Sequence, residues 1–313
     1  MKTLVALFFA LFLSLHANAD VWKPTGERAQ FNLWPDKIPD ASEKPGSEVI
    51  EVSKNLIGGK TVTAVKNVSV PTLTFYEAKG KNSGATFLVI PGGGFEILAI
   101  DLEGTEICDL LVSRGINCAL LKYRVPSLPY DWHSNSRPHN DMISTESLED
   151  VQRAMGLIRS HSEQWKIDPA KVGVIGFSAG GYLVAEISNV YSKRLYASVD
   201  AADKESCRPD FAAAIYPGHL SVGSKKKLKF NPNIHVTGKT PSTFIIQAED
   251  DYTDGISQSL AYYFELKNAN VPAEMHLFAE GGHAFGVRTT KSPITNWAEL
   301  MMTWLKTVSV IAN

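Results

Sequence analysis

The residues with the clearest chemical potential lie in Gly173-Val-Ile-Gly-Phe-Ser-Ala-Gly-Gly-Tyr182. A short apolar run, Val172 to Ile175, breaks off at Gly176-Phe177-Ser178-Ala179-Gly180, and Tyr182 to Ile187 resumes with helical spacing and good helix formers. A strand, a sharp turn with serine at its apex and a helix make a G-x-S-x-G elbow. A turn this tight leaves no room for side chains at Gly176 and Gly180, and it pushes the Ser178 oxygen out above the sheet edge. The start of the helix brings the Ala179 N–H beside that oxygen, where it can hold a developing oxyanion.

Three other stretches end strands with reactive or accommodating residues. Ala85 to Ile90 is a near-continuous apolar strand that runs into Pro91-Gly92-Gly93-Gly94-Phe95. Consecutive glycines let backbone approach a substrate closely with N–H groups free, so Gly93 or Gly94 is a second oxyanion donor in waiting. Ser242 to Gln247 is a strand ending in Ala248-Glu-Asp-Asp-Tyr-Thr-Asp254. Pro272 to Phe278 is another, ending in Ala279-Glu-Gly-Gly-His-Ala-Phe285. A serine, a choice of Asp250, Asp251 or Asp254, and His283 therefore all follow strand C-termini. In a parallel sheet those termini share one edge, which turns sequence distance into proximity.

The elements between them predict such a sheet. Strands are expected at Thr72 to Tyr76, Asn117 to Tyr123 and Phe211 to Tyr216, and helices at Gly104 to Leu111, Ile256 to Asn268 and Trp297 to Val308. Thr145 to Ser160 is an amphipathic helix with Leu148, Val151, Met155 and Ile158 on one face. Alternating strands and helices without repeats or linkers imply an α/β fold, a mostly parallel central sheet with helices on both faces. Two long aperiodic loops, 125–144 and 217–241, are placed to wall the site. Tyr130 and Trp132 could stack on a pyranose face, His133, Asn135, Asn140 and His219 could bond its hydroxyls, and Phe95 is a further candidate substrate contact.

The N-terminus reads as an export signal. Lys2 precedes an apolar stretch from Leu4 to Leu15, and Ala17-Asn-Ala19 fits cleavage after Ala19. Residues 20–48, rich in Pro and polar residues around Trp22, Phe31 and Trp34, read as an irregular arm over a single domain at 49–313. No later apolar run reaches membrane length. With 31 basic against 33 acidic residues spread along the chain, nothing points to nucleic acid or an anionic membrane. Three cysteines are too few for a disulfide scaffold and lack metal spacing. At most one bridge can form among Cys108, Cys118 and Cys207, and the apolar surroundings of Cys108 and Cys118 suggest buried thiols. Gly58-Gly-Lys-Thr61 lacks the leading glycine of a phosphate loop.

These motifs together resemble the α/β-hydrolase superfamily, whose triad runs in the order Ser, Asp, His. Within it the chain is similar to secreted esterases with a P-G-G-G-aromatic loop, many of which act on acetylated plant polysaccharides. The likeness spans Leu33-Trp-Pro35 to the C-terminus. It rests on Pro91-Gly-Gly-Gly-Phe95, Asp101-Leu-Glu-Gly104, Leu121-Lys-Tyr-Arg124, Gly176-Phe-Ser-Ala-Gly-Gly181, Ser206-Cys-Arg-Pro-Asp-Phe211 and Gly281-Gly-His-Ala-Phe285. Gln247 stands where the family often has His, and Ala284 where it often has Gly. The resemblance implies Ser178 as nucleophile, His283 as base, Asp251 as triad acid, and Ala179 with Gly93 or Gly94 as the oxyanion hole, with no metal or cofactor. It implies a serine esterase for short acyl, chiefly acetyl, esters on carbohydrate such as xylan fragments. A prolyl-oligopeptidase-like peptidase and a general lipid or xenobiotic carboxylesterase are the alternatives.

Overall fold

The computed structural model describes residues 21–26, 28–41, 46–126, 145–222 and 228–312. Eight strands form the central sheet: β1 (Gln30–Asn32), β4 (Thr72–Tyr76), β5 (Thr86–Ile90), β7 (Asn117–Lys122), β8 (Val172–Phe177), β9 (Phe211–Ile215), β10 (Ser242–Ala248) and β11 (Ala273–Phe278). Their spatial order is β1-β4-β7-β5-β8-β9-β10-β11. The β7-to-β11 section is parallel throughout, and β4 and β1 are added antiparallel to their neighbours at one edge. A smaller antiparallel sheet joins β2 (Val49–Val52), β3 (Thr63–Lys66) and β6 (Ile97–Ala99). The helices are α1 (Glu106–Ser113), preceded by a π-helical turn at Asp101–Thr105, then α2 (Thr145–Ser160), α3 (Ala179–Ile187), α4 (Ser257–Asn268) and α5 (Trp297–Thr307).

Parallel strands need cover on both faces, and the residues of β8 display it. A Cβ on Gly176 would run into Val184 of α3, whereas the next residue, Phe177, packs against Trp297 of α5. Neighbouring residues of a strand point to opposite faces, so α3 and α5 cover opposite sides. The central strands β5, β7, β8 and β9 are accordingly buried along their whole length. Register matters most for function. Ile90 of β5 lies opposite Gly176, Phe177 opposite Ile215, Ile215 beside Ile246, and Ala248 opposite Phe278. The strands thus end almost level, and the loops that follow them open on one edge.

The N-terminal arm is less irregular than its composition suggests. Gln30–Asn32 extends the sheet edge against β4, and Leu33 and Trp34 are buried. Three residues are too short for alternation to register in the sequence. The arm is also tied down by charge. Trp34 Nε1 donates to Asp150 Oδ1 (2.9 Å), and the same carboxylate accepts from the Arg124 backbone N–H (3.0 Å) and Nε (3.0 Å to Oδ2). Arg124 also reaches the Pro39 carbonyl and Glu149, and Lys122 pairs with Glu48. Cys108 and Cys118 are buried as expected but are not thiols: α1 lies on β7, bringing their Cα atoms to 5.3 Å, and they form a disulfide. Two elements ten residues apart reveal that approach only once packed. Cys207 keeps a buried thiol, donating to the Tyr191 carbonyl.

Asp150 is the anchor of this arrangement, so removing it should strand a buried guanidinium. Asp150→Ala is expected to lose about 3–5 kcal/mol of stability, the usual cost of breaking a buried ion pair on one side. Urea denaturation measures it directly, and an unchanged midpoint would show that Glu149 alone suffices for Arg124.

Candidate active site

Ser178 sits where β8 turns into α3, with φ 51° and ψ −117°. An L-residue rarely occupies that conformation, and holding it costs on the order of 1–3 kcal/mol. The surroundings leave it little choice. Its N–H donates to the Ile215 carbonyl (3.0 Å), and its own carbonyl accepts from Tyr182 (3.1 Å) and Gly218 (3.2 Å). The elbow glycines are spatial necessities: a Cβ on Gly176 would meet the Gly180 carbonyl, and one on Gly180 would meet the carbonyls of Ile90 and Pro91.

Against Ser178 lies His283, from the loop after β11. Its Nε2 is 3.0 Å from Ser178 Oγ and its Nδ1 is 2.7 Å from Asp251 Oδ2. Asp251 is held from four directions. Oδ1 accepts from the backbone N–H groups of Thr253 and Asp254 (2.9 Å each), and Oδ2 accepts from His283 and from Gln247 Nε2 (3.0 Å). Gln247 is itself oriented by Ser259, whose hydroxyl donates to its Oε1 (2.8 Å). The residue that departs from the family pattern thus steadies the carboxylate. Asp250 points elsewhere. Its Oδ1 accepts from the N–H groups of Gly281 (2.9 Å) and Gly282 (2.7 Å), fastening the histidine loop to the acid loop.

The glycine loop closes the other side. Gly93 has φ 132°, which only glycine adopts freely, and its carbonyl accepts from Glu96 and Ile97. The Gly92 N–H is committed to Glu103 Oε2 (2.7 Å). Among the described residues, the N–H groups of Gly93, Gly94 and Ala179 have no acceptor in the protein. These are the three expected oxyanion donors. Phe95 and His219, expected at the substrate, are buried and pack with Tyr182. Both have left-handed backbones, at φ 62° and 57°. Tyr130, Trp132, His133, Asn135 and Asn140 lie outside the described residues.

Glu103 and Tyr216 carry no role in the sequence reading, and Asp254 figured there only as an alternative triad acid. Glu103 is fully buried behind the glycine loop; besides Gly92 it accepts the Tyr216 hydroxyl (2.8 Å). The Tyr216 ring packs on His283, with centroids 4.9 Å apart. Burial pushes the Glu103 carboxyl above its ordinary range, against the pull of His283, Tyr216 and the Gly92 N–H. Asp254 is the third: its Oδ2 is 3.3 Å from Ser178 Oγ and 3.9 Å from His283 Nε2. Glu103 stood in a family motif and Asp254 among the acid candidates, but only folding brings either to the serine.

The sequence profile of the prolyl oligopeptidase family matches residues 108–310, which contain Ser178, Asp251 and His283. The chain belongs to the prolyl oligopeptidase family. It is 26% identical over 249 residues to an acetylxylan esterase of Xylanibacter ruminicola, covering 72% of this chain and 46% of that protein. It is 25% identical over 237 residues to endo-1,4-beta-xylanase B of Butyrivibrio fibrisolvens, covering 70% and 35%. The chain therefore spans less than half the length of these curated relatives. The crystal structure of an acetyl ester-xyloside bifunctional hydrolase from Caldicellulosiruptor lactoaceticus matches with a TM-score of 0.70 at 28% identity, covering 91% of this chain and 97% of that one. The architecture is the α/β-hydrolase fold, as the sequence motifs implied.

Chemically, the arrangement offers an alcohol, a base within one hydrogen bond of it, and a carboxylate fixing the tautomer of that base. Burial alone would lower the His283 pKa. The Asp251 hydrogen bond and charge, with Asp254 and Glu103 behind, outweigh it and raise the pKa. Only neutral imidazole can accept a proton, so a raised pKa moves the acid limb of activity upward, and activity falls as pH drops through it. The kcat/KM profile should rise through an apparent pKa above the ordinary histidine value of about 6.5. A limb at or below that value would contradict the electrostatics. The two neighbouring carboxylates also separate cleanly: Asp251→Asn should lose on the order of 10⁴-fold in kcat. Asp250→Asn, which only loosens a loop, should lose far less. The reverse ranking would move the triad acid to Asp250.

Proposed function

We propose that the protein is a serine esterase that removes short acyl groups, acetyl above all, from carbohydrate such as xylan fragments. The observation that carries the reading is the continuous chain from Ser178 Oγ through His283 to Asp251, at 3.0 and 2.7 Å, facing the glycine loop. His283 takes the Ser178 proton as the oxygen attacks the ester carbonyl, and Asp251 stabilises the imidazolium. The Ala179 N–H and that of Gly93 or Gly94 hold the oxyanion. His283 then protonates the leaving alcohol, and water, activated by the same imidazole, resolves the acyl-Ser178 intermediate.

The carbohydrate and acetyl assignments draw support from the relatives, an acetylxylan esterase and an acetyl ester-xyloside hydrolase. Export fits the same picture. The apolar run before Ala17-Asn-Ala19 would deliver the enzyme where polymer fragments arrive, and the Cys108–Cys118 disulfide suits an oxidising compartment. A second reading, peptide hydrolysis, is favoured by the family name, because amide and ester cleavage share this catalytic order.

Substrate panels distinguish the readings. Aryl acetate should be cleaved faster than aryl octanoate, acetylated xylo-oligosaccharide should release acetate, and prolyl peptide anilides should be poor substrates. Ser178→Ala should fold normally and lower kcat by roughly 10⁴-fold or more. Preference for the anilide would establish the peptidase reading; preference for octanoate with no attack on acetylated sugar would leave a lipid or xenobiotic esterase.

A further inference from the structure

Asp254 sits at the nucleophile without belonging to the relay. Its Oδ2 accepts the Ser178 hydroxyl at 3.3 Å, so among the described residues the serine has two acceptors, this carboxylate and His283 Nε2 at 3.0 Å. The position is built. The Asp254 N–H donates to Asp251 Oδ1 (2.9 Å) and its carbonyl accepts from Gln247 Nε2 (3.0 Å). The turn that fixes the triad acid therefore fixes Asp254 as well. Across the site, Gly218 leaves the space the side chain fills: a Cβ there would lie 2.7 Å from Asp254 Oδ1 and 2.8 Å from Oδ2. Asp254 is nearly buried, at 7% exposure, yet faces the reacting atoms.

A carboxylate here is costly for a simple ester. It is desolvated when substrate enters, and its charge opposes the oxyanion forming nearby. The cost is offset if the substrate supplies a hydrogen-bond donor, and geometry says where. During breakdown of the tetrahedral intermediate the leaving oxygen must lie against His283 Nε2 to be protonated. Asp254 Oδ2 is 3.9 Å from that nitrogen. A hydroxyl on the carbon next to the ester-bearing carbon projects about one hydrogen-bond length from the leaving oxygen, which brings it to the carboxylate. We propose that Asp254 is a specificity-determining residue that accepts a hydrogen bond from a free hydroxyl vicinal to the scissile ester. The site thereby selects monoesters of 1,2-diols over esters lacking that neighbour. This deepens the carbohydrate-esterase reading, because partly acetylated sugars are esters of vicinal diols, and it rests on Ser178 and His283 acting as that reading assigns them.

The charge has a second consequence. Among the described residues, the groups facing His283 are Asp251 at Nδ1, Asp254 on the Nε2 side, the Tyr216 ring, and Glu103 behind that tyrosine. Asp254 is the member on the substrate side. Removing its charge should move the acid limb of kcat/KM to lower pH, an effect that mere loss of packing would not produce.

The test compares the acetate of 1,2-cyclohexanediol with its 2-methoxy ether, alongside aryl acetate, using the wild-type protein, Asp254→Asn and Asp254→Val. The diol monoacetate isolates the hydroxyl from the sugar. Wild type is expected to favour the free hydroxyl by tenfold or more in kcat/KM. Asp254→Val should abolish that preference, read as the ratio of kcat/KM for the two cyclohexyl esters, and both variants should shift the acid limb downward. Asp254→Asn, which keeps an acceptor without the charge, should retain part of the preference. Equal wild-type rates on the two cyclohexyl esters would overturn the proposal. So would a uniform loss on all substrates in both variants, or an unmoved acid limb. If the diol preference appears but acetylated xylo-oligosaccharide is untouched, the hydroxyl assignment stands and the carbohydrate reading fails.

Discussion

The site depends on one strained residue. Ser178 is held at φ 51° between a parallel strand and a helix, and it can be held there only because Gly176 and Gly180 carry no side chains. The Ile215 carbonyl, from the neighbouring strand, and the Gly218 and Tyr182 N–H groups clamp the backbone on both sides. The strain of about 1–3 kcal/mol is therefore held jointly by the neighbouring strand, the loop that follows it and the first turn of α3. What it achieves is position: the hydroxyl stands clear of the backbone, and the first N–H of α3 lies beside it. A relaxed serine at the same place would satisfy the chain and offer no nucleophile.

Around that serine the protein arranges negative charge in three ways. Asp251 is saturated by four donors and serves the imidazole from behind. Glu103 is buried deeper; it ties the glycine loop to Tyr216, and Tyr216 supports the ring of His283. Oxyanion loop and base are thus connected through one carboxyl and one phenol. Asp254 alone looks onto the reacting atoms. Together they favour the protonated imidazole, which in the proposed mechanism helps when His283 receives the serine proton and costs activity at low pH.

Much of this was legible in the sequence because parallel sheets obey strict positional logic. Strands at 172–177, 242–248 and 273–278, each followed by a reactive residue, could be placed at one edge without coordinates. Helix Thr145–Ser160 was readable to the residue from its amphipathic spacing. The choice of Asp251 over Asp250 came only through the family resemblance, since adjacent carboxylates differ in direction and not in pattern. Strands β2, β3 and β6 escaped because they are short and partly exposed, so alternation is weak. The disulfide escaped because its cysteines, ten residues apart, meet only once α1 packs on β7. Glu103 and the place of Asp254 beside the serine escaped because each matters through a partner far along the chain, Tyr216, 113 positions from Glu103, and Ser178, 76 from Asp254. Phe95 and His219 were legible as residues of the site loops because aromatic and imidazole side chains suggest ligand contact, but their burial and their packing on Tyr182 depend on a neighbour distant in sequence.

The central claim is that Ser178 is a nucleophile activated by His283. Its most direct measurement is covalent labelling by a fluorophosphonate, followed by intact mass and peptide mapping. A single adduct on Ser178, absent from Ser178→Ala and strongly slowed in His283→Ala, is the predicted result. No adduct, an adduct on another residue, or labelling indifferent to His283 would contradict the account.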